Sequence, residues 1–328
     1  MKLSYRALAV CTASVVVGVA SAQMNIVINP NATLSGNAPA LAAFQRAADQ
    51  WENWFNDPIT VTIAAGMANL GGGILGQAQS VILQDSYTNM RNAMVNDAAN
   101  EASNAIVASL PTSAQFSGLF QPGSSFSGSM IGTKANLKAI GYGGLDGAFG
   151  ATDATITFNT VFNFDFDASN GIGAGLTDFE AVAAHEIGHA LGFFSAAGDT
   201  GSVSPSTLDL FRFRTGSVPG NAGAFTSTAR SLTSGTDDSF SDTVNNWRMS
   251  TGSDGFQTSH WKADDITGIT IGLMDPSLAP GQLGVMTAAD RRAIDLIGYE
   301  LNPVPEPATM AVLGMGALAL LRRRRKSS

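Results

Sequence analysis

The sequence predicts an α+β protein of two unequal halves around a cleft, and three observations lead there. Residues 23–192 alternate segments of helical and strand period. The next stretch, about 90 residues rich in Ser, Thr, Gly and Asp, shows little regular pattern. One short capped helix then closes the body ahead of a proline-rich tail.

In the first half, Asn25–Pro30 reads as a short strand. Residues 39–55 read as an amphipathic helix, with Leu41, Phe44, Ala48, Trp51 and Phe55 on one face and proline in the first turn. Asp57-Pro58 ends it, Ile59–Ala64 reads as a strand, and Gly71-Gly72-Gly73 as a turn. Tyr87–Leu110 is expected to be helical up to Pro111, and Ser113–Ser129 to be a loop. The alternation over Asp153–Asp167, rich in Thr, Val, Ile and Phe, predicts a strand or hairpin arm. Thr177-x-x-Glu180 spells a capping box for a helix that Gly192 ends, and Thr287-x-x-Asp290 begins a helix running to Ile297 and ended by Gly298. The expected division is a subdomain over 23–192, with a mixed sheet and the first capped helix, and a loop-rich subdomain over 193–301.

The chain ends are addresses rather than fold. Residues 1–22 read as a signal peptide for signal peptidase: Lys2 and Arg6, an apolar stretch from Ala7 to Ala20, and Ala20-Ser21-Ala22 before Gln23. The one cysteine, Cys11, lies inside it, so the exported chain has no disulfide and must be held by packing and metal. Residues 302–328 combine Pro305-Glu306-Pro307, an apolar run from Ala308 to Leu321 too short for a comfortable span, and the basic cluster Arg322–Lys326. This tail resembles the PEP-CTERM sorting signal. The resemblance implies an exosortase-type partner in the membrane of a Gram-negative-type bacterium, contact with the membrane only through the tail before processing, and delivery to the cell surface or beyond. Between Gln23 and Pro307 stand 11 of the 18 basic residues and all 26 acidic ones, a net charge of −15. So acidic a body excludes a nucleic-acid partner.

The chemistry is carried by His185-Glu186-Ile187-Gly188-His189. Residues four apart share a helix face, so both imidazoles can reach one ion, and Glu186 beside them can reach a water on it without ligating. That set points to Zn2+ and a hydrolase in which Glu186 acts as general base. The chain has three histidines, and the remaining one is His260, in Ser259-His260-Trp261. Gly272-Leu273-Met274-Asp275-Pro276 follows about a dozen residues later.

Together, His-Glu-x-x-His-Ala-Leu-Gly-Phe, a long insertion, Ser-His-Trp and Leu-Met resemble the leishmanolysin type of metzincin, a zincin-like fold. Position 195, where the simplest metzincin spacing puts a third histidine, is Ser195. The resemblance spans roughly residues 177–298 in pattern. It implies His185, His189 and His260 as zinc ligands, Glu186 as base, and Met274 in a methionine turn beneath the metal. It also implies that an edge strand above the zinc helix pairs with an extended protein or peptide substrate, a role open to Asp153–Asn163. Asp209, twenty residues after His189, is the rival third ligand. The implied activity is that of an exported zinc endopeptidase; an inactive zincin scaffold at the surface or in the matrix, and a zinc hydrolase of a non-peptide substrate, stay open. Asp165-x-Asp167-x-Ser169-Asn170-Gly171 departs from a calcium loop at its glycine and at Leu176, and Asp237-Asp238 with Asp242 reads as a solvated loop.

Overall fold

The computed structural model describes residues 23–302; the expected leader (1–22) and the tail from residue 303 onward lie outside the described residues. Strand β1 (Asn25–Pro30) leads through helix α1 (Ala38–Trp54) to β2 (Thr60–Ala68), parallel beside β1. Parallel neighbours need such a crossover, and this one starts where the Asn37 side chain accepts from the Ala40 N–H. Phe44, Ala48, Trp51 and Phe55 are fully buried, as their spacing predicts, while Leu41 is partly so.

Next come β3 (Gly76–Ser80), β4 (Ile82–Ser86), α2 (Tyr87–Asp97), β5 (Ser129–Thr133), α3 (Lys134–Ala139) and β6 (Ala154–Asn159). The sheet order is β1-β2-β6-β3, with β6 parallel to β2 and antiparallel to β3. The expected strand over 153–163 therefore lies inside the sheet and cannot be its free edge. That edge is β3, whose Gly-Gln-Ala-Gln-Ser sequence has no β-branched or aromatic residue to signal a strand. The helix expected over 87–110 also ends early, at Asp97, and two 3-10 segments follow (Ala98–Asn100 and Ala102–Ser109). Inside the second, the buried Asn104 side chain donates to Asp295 and accepts from Arg292, so distant partners override the local helix preference.

Helix α4 (Phe179–Leu191) packs between α1 and the sheet. The Trp51 indole donates to the Ala184 carbonyl at 2.9 Å, and Phe158 of β6 contacts both Phe44 and Phe179 with centroids 5.1 and 4.5 Å away. Each of these aromatic burials contributes about 1.5–3 kcal/mol. The cap sits one residue later than the sequence suggests. Asp178 accepts from the Ala181 N–H, Thr177 lies in a short bridge with Phe164, and Glu180 bonds Arg46 and Gln50. Aspartate is a stronger N-cap than threonine.

The loop-rich half holds a three-stranded antiparallel sheet, β7 (Arg212–Arg214), β8 (Asp238–Ser241) and β9 (Asn246–Met249), and ends in α5 (Ala288–Leu296), where Thr287 and Asp290 form a capping box at the predicted start. Asp238 and Asp242 are not solvated. They are buried against Arg212 and Arg292 at 2.9 and 2.7 Å, and only Asp237 stays at the surface, beside Arg248. Their partners lie 26 and 50 residues away, beyond the reach of local charge pattern. Among the described residues no helix is long and apolar enough to cross a membrane.

The body closes on itself where α1 ends. Phe55 bridges to Leu301, Asn302 N–H donates to the Trp54 carbonyl at 2.8 Å, and Glu300 N–H donates to Asp57 at 3.1 Å. Burial pushes the Asp57 carboxyl up to about 8 and those of Asp97 and Glu101 to about 7, with neighbouring acids adding repulsion. Folding favours the protonated forms of these acids. Their contribution is thus full below about pH 4, near the unfolded values, and is lost as pH rises through about 8. The thermal midpoint is expected to fall between pH 5 and 9, with a shallower fall in Asp57→Asn; parallel curves for the two proteins would refute this. In the β8–β9 turn, Thr243 holds φ at 75°, costly for a β-branched residue. Thr243→Gly should raise the unfolding free energy in urea by about 1 kcal/mol.

Candidate metal centre

Two turns of α4 carry His185 and His189 on one side, and the segment after β9 brings His260 to face them from 71 residues away. The three Nε2 atoms form a near-equilateral triangle with sides of 3.1, 3.2 and 3.2 Å. Each ring's other nitrogen faces a backbone carbonyl: Leu273 at 2.9 Å for His185, Phe193 at 2.8 Å for His189 and Gln257 at 3.2 Å for His260. A carbonyl can only accept, so each Nδ1 carries the proton and each Nε2 presents a lone pair. Three lone pairs therefore converge with no donor among them, which rules out hydrogen bonds along the triangle edges. Burial holds the imidazoles neutral, as ligation requires. It lowers His185, lowers His260 to about 3 and, with the two neighbouring rings, lowers His189 well below its usual value.

This donor set fits zinc. Tetrahedral ligation by nitrogens about 2.0–2.1 Å from the ion separates them by about 3.3 Å, close to the triangle found. Among the described residues, these histidines form the one group of three or more His, Cys, Asp or Glu whose ligand atoms lie within 4.8 Å of one another.

Glu186 lies against the β3 edge: a side chain at Gly76 would touch its Oε1 at 3.1 Å. Burial pushes its carboxyl up to about 8, and the Ala78 backbone N–H draws it partly back. Glu186 is 5% exposed yet lines a cleft of about 710 Å³ together with all three histidines. Among the described residues no Lys or Arg lines this cleft.

Asp209 is not part of the triangle. It is fully buried and saturated by Ser195 Oγ (2.6 Å), the Ala196 N–H (2.9 Å) and both the N–H and hydroxyl of Ser206 (2.8 and 2.9 Å). Ser195 in turn donates its N–H to Ser259 Oγ at 3.0 Å, beside His260. The rival carboxylate thus braces the loop that supports the third histidine. The acids at 165 and 167 likewise serve their own loop, accepting from the N–H groups of Asp167, Ser169 and Gly173.

Met274 is fully buried beneath α4 at Gly188. A Cβ at 188 would overlap the Met274 sulfur and crowd Trp51 at 3.2 Å, so only glycine lets the helix approach this closely. Gly188→Ala should cost about 1–3 kcal/mol of stability and weaken metal retention; an unchanged denaturation midpoint together with unchanged zinc content would contradict the packing described.

A family model for the PEP-CTERM protein-sorting motif matches residues 303–326. No curated protein and no solved structure matches the chain. The sorting motif implies export through the cell envelope of a Gram-negative bacterium and recognition by an exosortase-type enzyme.

Proposed function

We propose that this chain is an exported zinc-dependent endopeptidase of metzincin type, with a zincin-like body whose third ligand follows a long insert. The observation that carries this reading is the triangle of three neutral Nε2 atoms with the Glu186 carboxyl beside it, at the wall of one cleft. His185, His189 and His260 would hold the ion. When bound, zinc supplies Lewis acidity, polarising a carbonyl and lowering the pKa of a bound water towards about 7.

The chain's own groups do the rest. Glu186, ionised once a cation sits at the histidines, would take the proton of the attacking water and deliver it to the departing amine. Strand β3 is bonded to β6 on one side alone, so the backbone groups on its free side can pair with an extended peptide. Gly76, Gln77 and Ala78 line the cleft, which puts such a peptide over the histidines. The absence of cationic side chains there suits neutral segments better than acidic ones.

The test is metal analysis of the purified exported protein with cleavage of casein and a peptide library. Wild type should hold one zinc and cleave. Glu186→Ala should keep zinc and lose about 10²–10⁴-fold in turnover, whereas His260→Ala should lose zinc as well. A cleaving Glu186→Ala variant would refute the mechanism; a zinc-loaded wild type inert on every peptide would favour a non-peptide substrate or a scaffold.

A further inference from the structure

We infer that Asp290, on the closing helix about a hundred residues after the histidine pair, is the positioning residue that sets the geometry and donor strength of the metal centre. This rests on the metal-binding reading above and goes beyond it to a residue that touches neither metal nor substrate.

Asp290 is fully buried and receives five hydrogen bonds. Oδ1 accepts from Trp261 Nε1 at 2.8 Å and from the Met274 N–H at 3.1 Å. Oδ2 accepts from the Leu273 N–H at 2.8 Å and from the N–H and hydroxyl of Thr287 at 2.7 and 3.0 Å. Trp261 directly follows His260, and Leu273 and Met274 form the turn beneath α4. A single carboxylate therefore joins the segment of the third histidine, the turn of Leu273 and Met274, and the closing helix. Gly272 lies so close that any side chain there would overlap the carboxylate.

One of these bonds reaches the centre through a shared peptide group. The Met274 N–H that donates to Asp290 belongs to the same amide as the Leu273 carbonyl, and that carbonyl accepts from His185 Nδ1 at 2.9 Å. A carboxylate drawing on the N–H end of an amide places more negative charge on its oxygen. That strengthens the bond from the imidazole and makes the opposite nitrogen a better donor to a metal, as a carboxylate bonded directly to a ligating histidine does. The second arm fixes His260 by position. Trp261 is held through its indole, through its N–H to the Met274 carbonyl at 2.9 Å, and by packing on Phe193 with centroids 4.8 Å apart. Among the described residues Asp290 forms no ion pair within 4.0 Å; its five donors are amides, an indole and a hydroxyl.

The experiment is Co2+ titration of the full exported chain, following the visible ligand-field bands, for wild type, Asp290→Asn and Thr287→Ala. Asparagine keeps the size but removes the charge and sets an NH2 against two N–H groups. It should weaken Co2+ affinity about 10–100-fold and alter the band envelope. Thr287→Ala removes one hydroxyl from the same carboxylate and loosens the helix cap while leaving both arms to the centre. It should bind within about threefold of wild type with an unaltered spectrum. Equal affinities for wild type and Asp290→Asn, or equal losses in both variants, would overturn the inference while leaving the metal reading intact. Should Asp290→Asn fail to fold, Trp261→Phe, which deletes one arm, should still weaken binding and shift the bands; unchanged binding there would overturn it as well. A wild type that binds neither Co2+ nor Zn2+ would instead remove the metal reading itself.

Discussion

Three unprotonated nitrogens set 3.1–3.2 Å apart repel one another, and the organisation of this protein follows from how that arrangement is held. Two of the three come at no topological cost, because a helix places residues four apart on one face. The third must be carried in on a separate segment, and each ring must be turned so that its lone pair faces inward. The chain does this with backbone carbonyls, one for each Nδ1. Carbonyls of Leu273, Phe193 and Gln257 belong to loops, so the loops themselves need rigid support.

That support is polar and buried. Asp209 gathers the loop after α4, and Ser195 links it to the segment of His260. Asp290 gathers that same segment with the methionine turn and the closing helix. Arg212 and Asp238 pair inside the small sheet, and the Arg212 guanidinium also donates to the carbonyls of Ser250 and Thr258. Isolated buried charges are costly, whereas each of these carboxylates is met by several donors. A loop-rich half with no disulfide gains from such networks the uniqueness that a larger apolar core would otherwise provide.

The apolar half does different work. Helix α4 is pinned by Trp51 at the Ala184 carbonyl and by Phe158 against its own Phe179, and it admits Met274 at Gly188. Strand β3 at the sheet edge then runs over Glu186, so Glu186, the three histidines and the β3 edge share one cleft. The body is thus a rigid frame with one open wall, attached to a tail whose sorting motif implies export.

Much of this was legible in the sequence. Helical spacing alone placed His185, Glu186 and His189, and the α1 stripe, the start of α5 and the C-terminal sorting motif are local patterns that need no partner to be read. What the sequence could not decide depends on distance through space. The edge role passed from the 153–163 segment to Gly76–Ser80, because strand order is a tertiary property and β3 has no strand-forming side chains. Asp209 and His260 were both candidates, and only the folded chain shows one saturated by hydroxyls and amides and the other turned toward the pair. Asp238 and Asp242 read as solvated because their arginines lie far along the chain, and Asp290 read as a helix start when it also bonds the turn and the tryptophan beside the third histidine. Periodicity and caps act over a few residues and are written in order; the pairing of buried charges and the convergence of loops arise only when the backbone has closed on itself.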